Sequence, residues 1–276
     1  MLRNLAALLW CLPLFALAGG EPLPVGARFA GMGWSGLTLV DVWSTRMNPA
    51  GFAGLEVPEA GLSYQRHFLS EELAHQALTA AIPLGNGAMG IAADRFGYSF
   101  YNETRATLGY AMRFGDGLRA GVQLGYLGTR IGDNYGSTGT LVAEAGVQAR
   151  ITDELWLGAH LYNPTRSALL VRDEGGVPLD ERVPTLLRAG FAYTFSERLL
   201  MTLEAEKDID RPERFRVGME YMPNKAFYLR TGVSTGPTQL HFGAGFRTDK
   251  LAIDMAVAVR SMLGPTPMLN LNYRFQ

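Results

Sequence analysis

The stretch Leu118-Arg119-Ala120-Gly121-Val122-Gln123-Leu124-Gly125-Tyr126 decides the fold. Successive side chains of an extended chain point to opposite sides, so Leu118, Ala120, Val122, Leu124 and Tyr126 share one face. Arg119, Gly121, Gln123 and Gly125 share the other. The same period of two runs through Leu141–Ile151, Phe215–Tyr221 and Leu251–Val259. Fourteen such segments follow residue 57, centred near residues 63, 77, 91, 109, 122, 146, 158, 190, 202, 217, 230, 242, 255 and 271.

Their connections alternate in length. Tight turns carry Pro83-Leu84-Gly85-Asn86-Gly87, Gly115-Asp116-Gly117, Thr152-Asp153-Glu154, Ser196-Glu197-Arg198, Met222-Pro223-Asn224-Lys225 and Thr248-Asp249-Lys250. The intervening links are longer: about Arg95–Arg105, Gly128–Gly139, Asn163–Val183 and Asp208–Glu213. An even number of strands with short turns at one end and longer loops at the other describes an up-and-down barrel of the outer-membrane kind. At the tight-turn end the apolar faces finish in Phe114, Phe195, Tyr221, Phe227, Phe246, Tyr273 and Phe275, as an interfacial aromatic girdle requires. The opposite face carries Arg119, Glu144, Glu204, Arg216, Glu220, Arg230 and Asp254. Each such charge placed in hydrocarbon would cost ~2–4 kcal/mol near the midplane, so this face must line a polar lumen. The expected fold is therefore an all-β, transmembrane, antiparallel barrel of fourteen strands over residues 57–276, with lipid as its outer partner. A soluble sandwich would turn the same apolar faces inward, but has no use for aromatics ranked at one set of turns.

Composition agrees. The 276 residues hold 18% charged side chains, below the usual ~25%, and 33 glycines. A net charge of −1 removes the electrostatic reason to expect nucleic acid as a partner. Residues 1–18 read as a signal peptide: Arg3, an apolar run from Leu5 to Leu17, then Ala16-Leu17-Ala18. The one cysteine, Cys11, falls inside that run, which excludes a disulfide framework. An outer-membrane location in a Gram-negative bacterium is expected.

Residues 19–56 do not alternate. Gly26-Ala27-Arg28-Phe29-Ala30-Gly31-Met32-Gly33 leads through Trp34, Leu37, Leu39, Asp41, Val42 and Trp43 to Asn48-Pro49-Ala50-Gly51. Glycines permit close backbone approach and Asn-Pro favours a turn, so this stretch is expected to fold into the lumen as a plug. It lacks the preceding strand and following helix of a phosphate loop. The opening Gly26–Gly33, Asp41 about ten residues on, and Asn48-Pro49-Ala50-Gly51 resemble the N-terminal hatch of the FadL-type outer-membrane family. They resemble still more closely the PorV/PorQ-like branch of that superfamily found in Bacteroidetes-type bacteria. The resemblance implies a fourteen-stranded barrel closed by a hatch built on Gly26, Arg28, Gly31, Gly33, Asp41, Asn48, Pro49, Ala50 and Gly51. It implies one of two functions. A PorV/PorQ-like protein serves type IX secretion and binds secreted proteins or the translocon. A FadL-like protein passes fatty acids or other hydrophobic compounds, often through a lateral opening in the wall. The closer hatch match makes the secretion-associated function the first expectation and the channel the alternative. At about 16 positions per strand and connection, little chain remains for large external loops.

No enzymatic chemistry is expected. His67, His75, His160 and His241 fall on separate strands or loops without the spacing of a metal site, and no spacing pairs Ser63 or Ser99 with a histidine. No cofactor follows. The lumen charges admit two readings: an arginine surplus that attracts a carboxylate or phosphate headgroup, or cross-strand ion pairing that fills a narrow barrel. Tyr98, Phe100, Tyr101 and Asn102 in one loop and Tyr135 in the next are candidates for a surface patch.

Overall fold

The wall strands form where alternation is cleanest. The computed structural model describes residues 22–132, 136–172 and 178–275; the expected signal peptide over 1–18 and Tyr135 lie outside them. Seven strands make one half of the wall: β1 (Glu59–Arg66), β2 (Ala74–Leu84), β3 (Gly87–Gly97), β4 (Tyr101–Phe114), β5 (Leu118–Ile131), β6 (Gly136–Arg150) and β7 (Leu155–Tyr162). A separate hairpin follows, β8 (Ala168–Arg172) paired with β9 (Pro178–Arg182). The second half is β10 (Leu186–Ser196), β11 (Leu199–Asp208), β12 (Arg214–Asn224), β13 (Phe227–Ser234), β14 (Gln239–Arg247), β15 (Leu251–Arg260) and β16 (Gly264–Arg274). All neighbours are antiparallel and β16 pairs back onto β1, from Glu59 opposite Arg274 to Gln65 opposite Met268, closing a fourteen-stranded barrel. Closure removes the exposed edges that an open sheet cannot tolerate in lipid.

Orientation follows the chemistry of the two faces. Along β5, Val122, Leu124 and Tyr126 are 61%, 53% and 50% exposed, while Gln123 between them is 4% exposed. The aromatics at the tight-turn ends all point outward, with Tyr273 and Phe275 meeting edge-on along their strand at 4.9 Å and Phe227 and Phe246 tilted across strands at 5.2 Å. Such contacts give the girdle a defined geometry at the lipid–water boundary.

Two expected loops are shorter than the sequence implied. β3 runs on to Gly97 and β4 begins at Tyr101, so Tyr101 and Asn102 belong to a strand and only residues 98–100 turn. Likewise β5 and β6 extend to Ile131 and from Gly136. Backbone pairing continues past the apolar belt because the ladder satisfies N–H and C=O groups whatever the side chains. The link between β7 and β10 holds the β8–β9 hairpin, whose Leu169 is buried with Leu127, Val142, Tyr162, Val183 and Leu186. Asn163 staples its base, donating to the Val183 carbonyl at 2.8 Å and accepting from the Ser167 amide at 2.9 Å.

Substituting Val122→Arg, near mid-wall on the outer face, is expected to lower the unfolding free energy in lipid bilayers by ~2–4 kcal/mol, measured by urea titration. An unchanged stability would contradict the assignment of this face to lipid.

Candidate functional site

The N-terminal segment has no partner for its apolar side chains except the barrel interior. From Val25 to Leu55 every residue is buried apart from Arg28, Val40 and Gly54, which are half-buried. Trp34, Leu37, Leu39, Val42 and Trp43 are 8%, 2%, 5%, 0% and 1% exposed. All but Leu37 cluster with Phe29, Met32, Met47 and Phe52 against small wall residues such as Ala81, Ala88, Ala111 and Ala256. Large side chains of the segment thus meet alanines of the wall, which packs the centre of the lumen.

Local structure in this segment is set by its caps. A short helix, α1 (Ala27–Gly31), begins after Gly26 at φ 115°, a left-handed value that favours glycine. The 3₁₀ turn Val42–Arg46 is capped by Asp41, whose carboxylate accepts from the Trp43 amide at 3.1 Å. The next, Pro49–Gly54, is capped by Asn48, which accepts from the Ala50 amide at 3.1 Å, with Pro49 at the first helical position. Asn48 also donates to the Leu37 carbonyl at 2.8 Å, closing a loop within the segment. Gly33, at φ 67°, lies where a Cβ would come within 2.8 Å of the Val217 carbonyl. A Cβ on Gly51 would meet the Leu39 carbonyl at 2.6 Å, and one on Gly31 would press on the Gly243 backbone at 3.0 Å.

The wall answers with glycines of its own. A Cβ at Gly121 would lie 2.7 Å from the Pro49 carbonyl carbon, and Cβ atoms at Gly146, Gly218 and Gly232 would overlap Asn48, Met32 and Gly33. Polar wall groups satisfy the plug backbone and side chains: Gln148 donates to the Leu37 carbonyl at 3.0 Å and Gln123 to the Thr45 carbonyl at 3.0 Å. The Trp43 indole donates to Asn272 at 2.8 Å, and the hydroxyls of Ser35 and Thr202 lie 2.6 Å apart.

The charged residues fall into distinct groups. The first crosses from plug to wall. Arg28 makes a two-pronged contact with Glu220, Nε to Oε2 at 2.9 Å and Nη2 to Oε1 at 2.8 Å, while its Nη1 reaches Asp41 at 3.3 Å. Glu220 also accepts from Arg230 at 2.6 Å, and Arg230 continues to Asp254 at 2.6 Å. The second is within the wall: Arg216 bridges Glu204 at 2.9 Å and Glu206 at 2.7 Å, and Arg188 binds Glu206 at 2.7 Å. In the third, Glu144 holds Arg105 and His160. Arg119 stands apart from these, stacked 4.2 Å from the Trp156 ring centroid and donating to Gln148 at 3.2 Å. The arrangement is largely the paired one, as expected where an unpaired buried charge is heavily penalised. Sequence reasoning missed a second plug-to-wall tie, Arg46 to Asp94 at 2.9 Å with His75 on the other carboxylate oxygen at 3.0 Å. Asp94 stood on the polar face of its strand, but nothing in the pattern marked Arg46 as its partner.

The segment separates two cavities that share no lining residue. One, about 420 Å³, opens at the end with the longer loops. Trp34, Ala258 and Met268 form its apolar floor, with Arg188, Arg214, Arg216, Arg260, Glu206 and His67 around it. Arg260 lies 5.5 Å from the Phe68 ring centroid and has no carboxylate partner among the described residues. Burial, then the neighbouring His75 and Arg260, pushes the His67 imidazole down to about 4, so it is neutral near pH 7. The other cavity, about 270 Å³ at the tight-turn end, lies against Asp41, Glu59, Arg247 and Arg274. The ladders linking β1, β2, β3 and β4 run without a register break. Breaks occur between Thr194 and Ser196 and between Tyr221 and Asn224, both toward the tight turns.

No protein-family model and no curated protein matches the sequence. Solved structures do share the fold. The deltaS2S3 mutant of the TodX monoaromatic hydrocarbon channel matches at TM-score 0.69 and 13% identity, covering 90% of this chain and 97% of the other. The CymD monoaromatic hydrocarbon channel gives 0.68 and 14%, covering 92% and 98%. A Pseudomonas aeruginosa FadL homologue gives 0.64 and 13%, covering 94% and 100%. Two of these are monoaromatic hydrocarbon channels and the third is a FadL homologue, the family of the alternative drawn from the sequence. They lend nothing to the first expectation, the PorV/PorQ-like branch with its secreted cargo and translocon.

Two outcomes follow. Glu220→Ala removes the shared acceptor of two buried guanidinium groups and is expected to destabilise the folded chain by ~3–5 kcal/mol in denaturant titration, well beyond a surface carboxylate such as Glu154→Ala. An NMR titration of His67 is expected to centre near 4 instead of the usual ~6.5. The unfolded chain takes up that proton first, so the stability drawn from His67 declines as pH falls from ~6.5 toward 4.

Proposed function

We propose that this chain is a FadL-type passive channel of the Gram-negative outer membrane for hydrophobic or amphiphilic small molecules. The observation that carries the reading is the division of the lumen by residues 25–55 into two separate cavities, each open toward one end. A segment held by side-chain contacts inside a complete barrel is placed to act as a gate, because its displacement joins the cavities without breaking the wall. The unbroken ladders from β1 to β4 support a route along the lumen past the segment over one through a hole in those strands. The outer cavity suits an amphiphile. Its floor of Trp34, Ala258 and Met268 accepts an apolar body, and Arg260 offers a cation to a polar head. The neighbours whose names specify hydrocarbons agree with the apolar part of this reading.

Liposomes containing the protein are expected to take up a monoaromatic hydrocarbon or a long-chain fatty acid faster than empty ones. Deleting residues 26–51 is expected to convert the barrel into an open pore with stepwise ion conductance. Gly232→Val, which puts a side chain where Met32 and Gly33 lie, is expected to raise conductance in the same direction. Equal uptake with and without protein, together with a closed deletion variant, would dispose of the channel.

A further inference from the structure

The outer wall carries a depression of about 500 Å³ in the half nearer the longer loops. Its shape follows from one row of the sheet in register across five strands: Leu62, Leu78, Ala93, Ala106 and Tyr126. All five point outward, and the two alanines in the middle leave a pit between Leu78 and Tyr126. The next row toward the tight turns places Ile91 beside Leu108, 48% and 54% exposed, and closes the pit below. The next row toward the loops places Gln76, Arg95 and Thr104 side by side at its mouth.

Arg95 is exposed, points into the membrane side of the wall, and has no acidic partner among the described residues. Its neighbour Asp94 faces the lumen, where Arg46 and His75 engage it. Glu71 in the adjoining loop is paired with Arg66 at 2.8 Å, and Glu72 accepts from Ser70 at 2.6 Å. Arg95 lies eight positions beyond Gly87, the first residue of β3. At the rise and tilt of a barrel strand that is about 20 Å up the wall, near the outer edge of an apolar band ~25 Å tall. A guanidinium there reaches the headgroup level and matches a phosphate two oxygens at a time.

We propose that Arg95 and the pit at Ala93 and Ala106 form a binding site for one phosphorylated, acylated glycolipid of the outer leaflet. Arg95 binds the phosphate, Gln76 and Thr104 face the sugar, and the first methylenes of an acyl chain lie over the two alanines. The site rests on the outer-membrane placement of the function proposed above and not on channel activity.

The test uses the full chain in a nonionic detergent, titrated with bisphosphorylated hexa-acyl lipid A and followed by native mass spectrometry. One tightly held lipid per barrel is expected. Arg95→Gln is expected to weaken binding about tenfold, the scale of a lost charge-assisted contact. Ala106→Phe, which fills the pit, is expected to abolish the tight site, whereas Val233→Phe on the far wall leaves it intact. The unaltered chain is expected to hold dephosphorylated lipid A no better than Arg95→Gln holds the phosphorylated form. Equal binding of the two lipids by the unaltered chain overturns the proposal even if a variant fails to fold. So does native-like affinity in both Arg95→Gln and Ala106→Phe, or equal binding of phosphatidylglycerol. Absence of hydrocarbon uptake leaves this result untouched, and failure of the chain to fractionate with outer membranes reports separately on its placement.

Discussion

A guanidinium inside a membrane barrel needs a carboxylate, and the contact of Arg28 with Glu220 is where that need joins two parts of this molecule. Both groups are largely withdrawn from solvent, with side-chain exposures of 12% and 8%. The Coulombic attraction of such a pair grows as water is excluded, and so does the penalty for losing either partner. Glu220 is shared with Arg230, which leans on Asp254, so the plug is tied into a charge chain belonging to three wall strands. A charge pair of this kind contributes little net stability relative to a well-packed apolar contact. Its effect is directional, because the two-pronged geometry admits one seating of the helix that bears Arg28.

The remaining fit is steric. Lumen-facing glycines and alanines let the plug backbone lie almost against the wall, at Gly121 beside Pro49 and at Gly218 beside Met32. Wall amides and hydroxyls then take up carbonyls that a segment with so little regular structure leaves unpaired, as Gln123 does for Thr45. Small side chains and polar donors together make a lumen whose middle is packed yet not purely apolar.

How much of this was legible depended on the length scale of the signal. Outward Val122, Leu124 and Tyr126, and inward Gln123, are local facts of strand geometry and could be read directly. Each of the fourteen expected strand centres falls within a wall strand. Tyr101 and Asn102 looked like loop residues because apolar alternation weakens above the membrane band, while backbone pairing does not. The β8–β9 hairpin escaped for a similar reason, being a local pairing outside any alternating apolar stretch. The motif at Gly26–Gly33 and Asn48–Gly51 proved to be a set of caps and close approaches. Such residues describe how a segment folds within a barrel, and carry no information on cargo.

The wall was readable from residue order alone: strand number, the faces turned to lipid and water, and the girdle at the tight-turn end. Alternation between neighbours suffices for that, because in a strand the next residue but one shares a face. Which carboxylate receives which arginine, how residues 25–55 divide the lumen, and where small residues from separate strands line up into a pit emerge only once the barrel has closed. Arg28 and Glu220 stand 192 residues apart, and Arg46 and Asp94 lie on different elements altogether. Pairing at that separation is set by barrel closure and strand register, which place side chains opposite one another without leaving a mark on the residues between them.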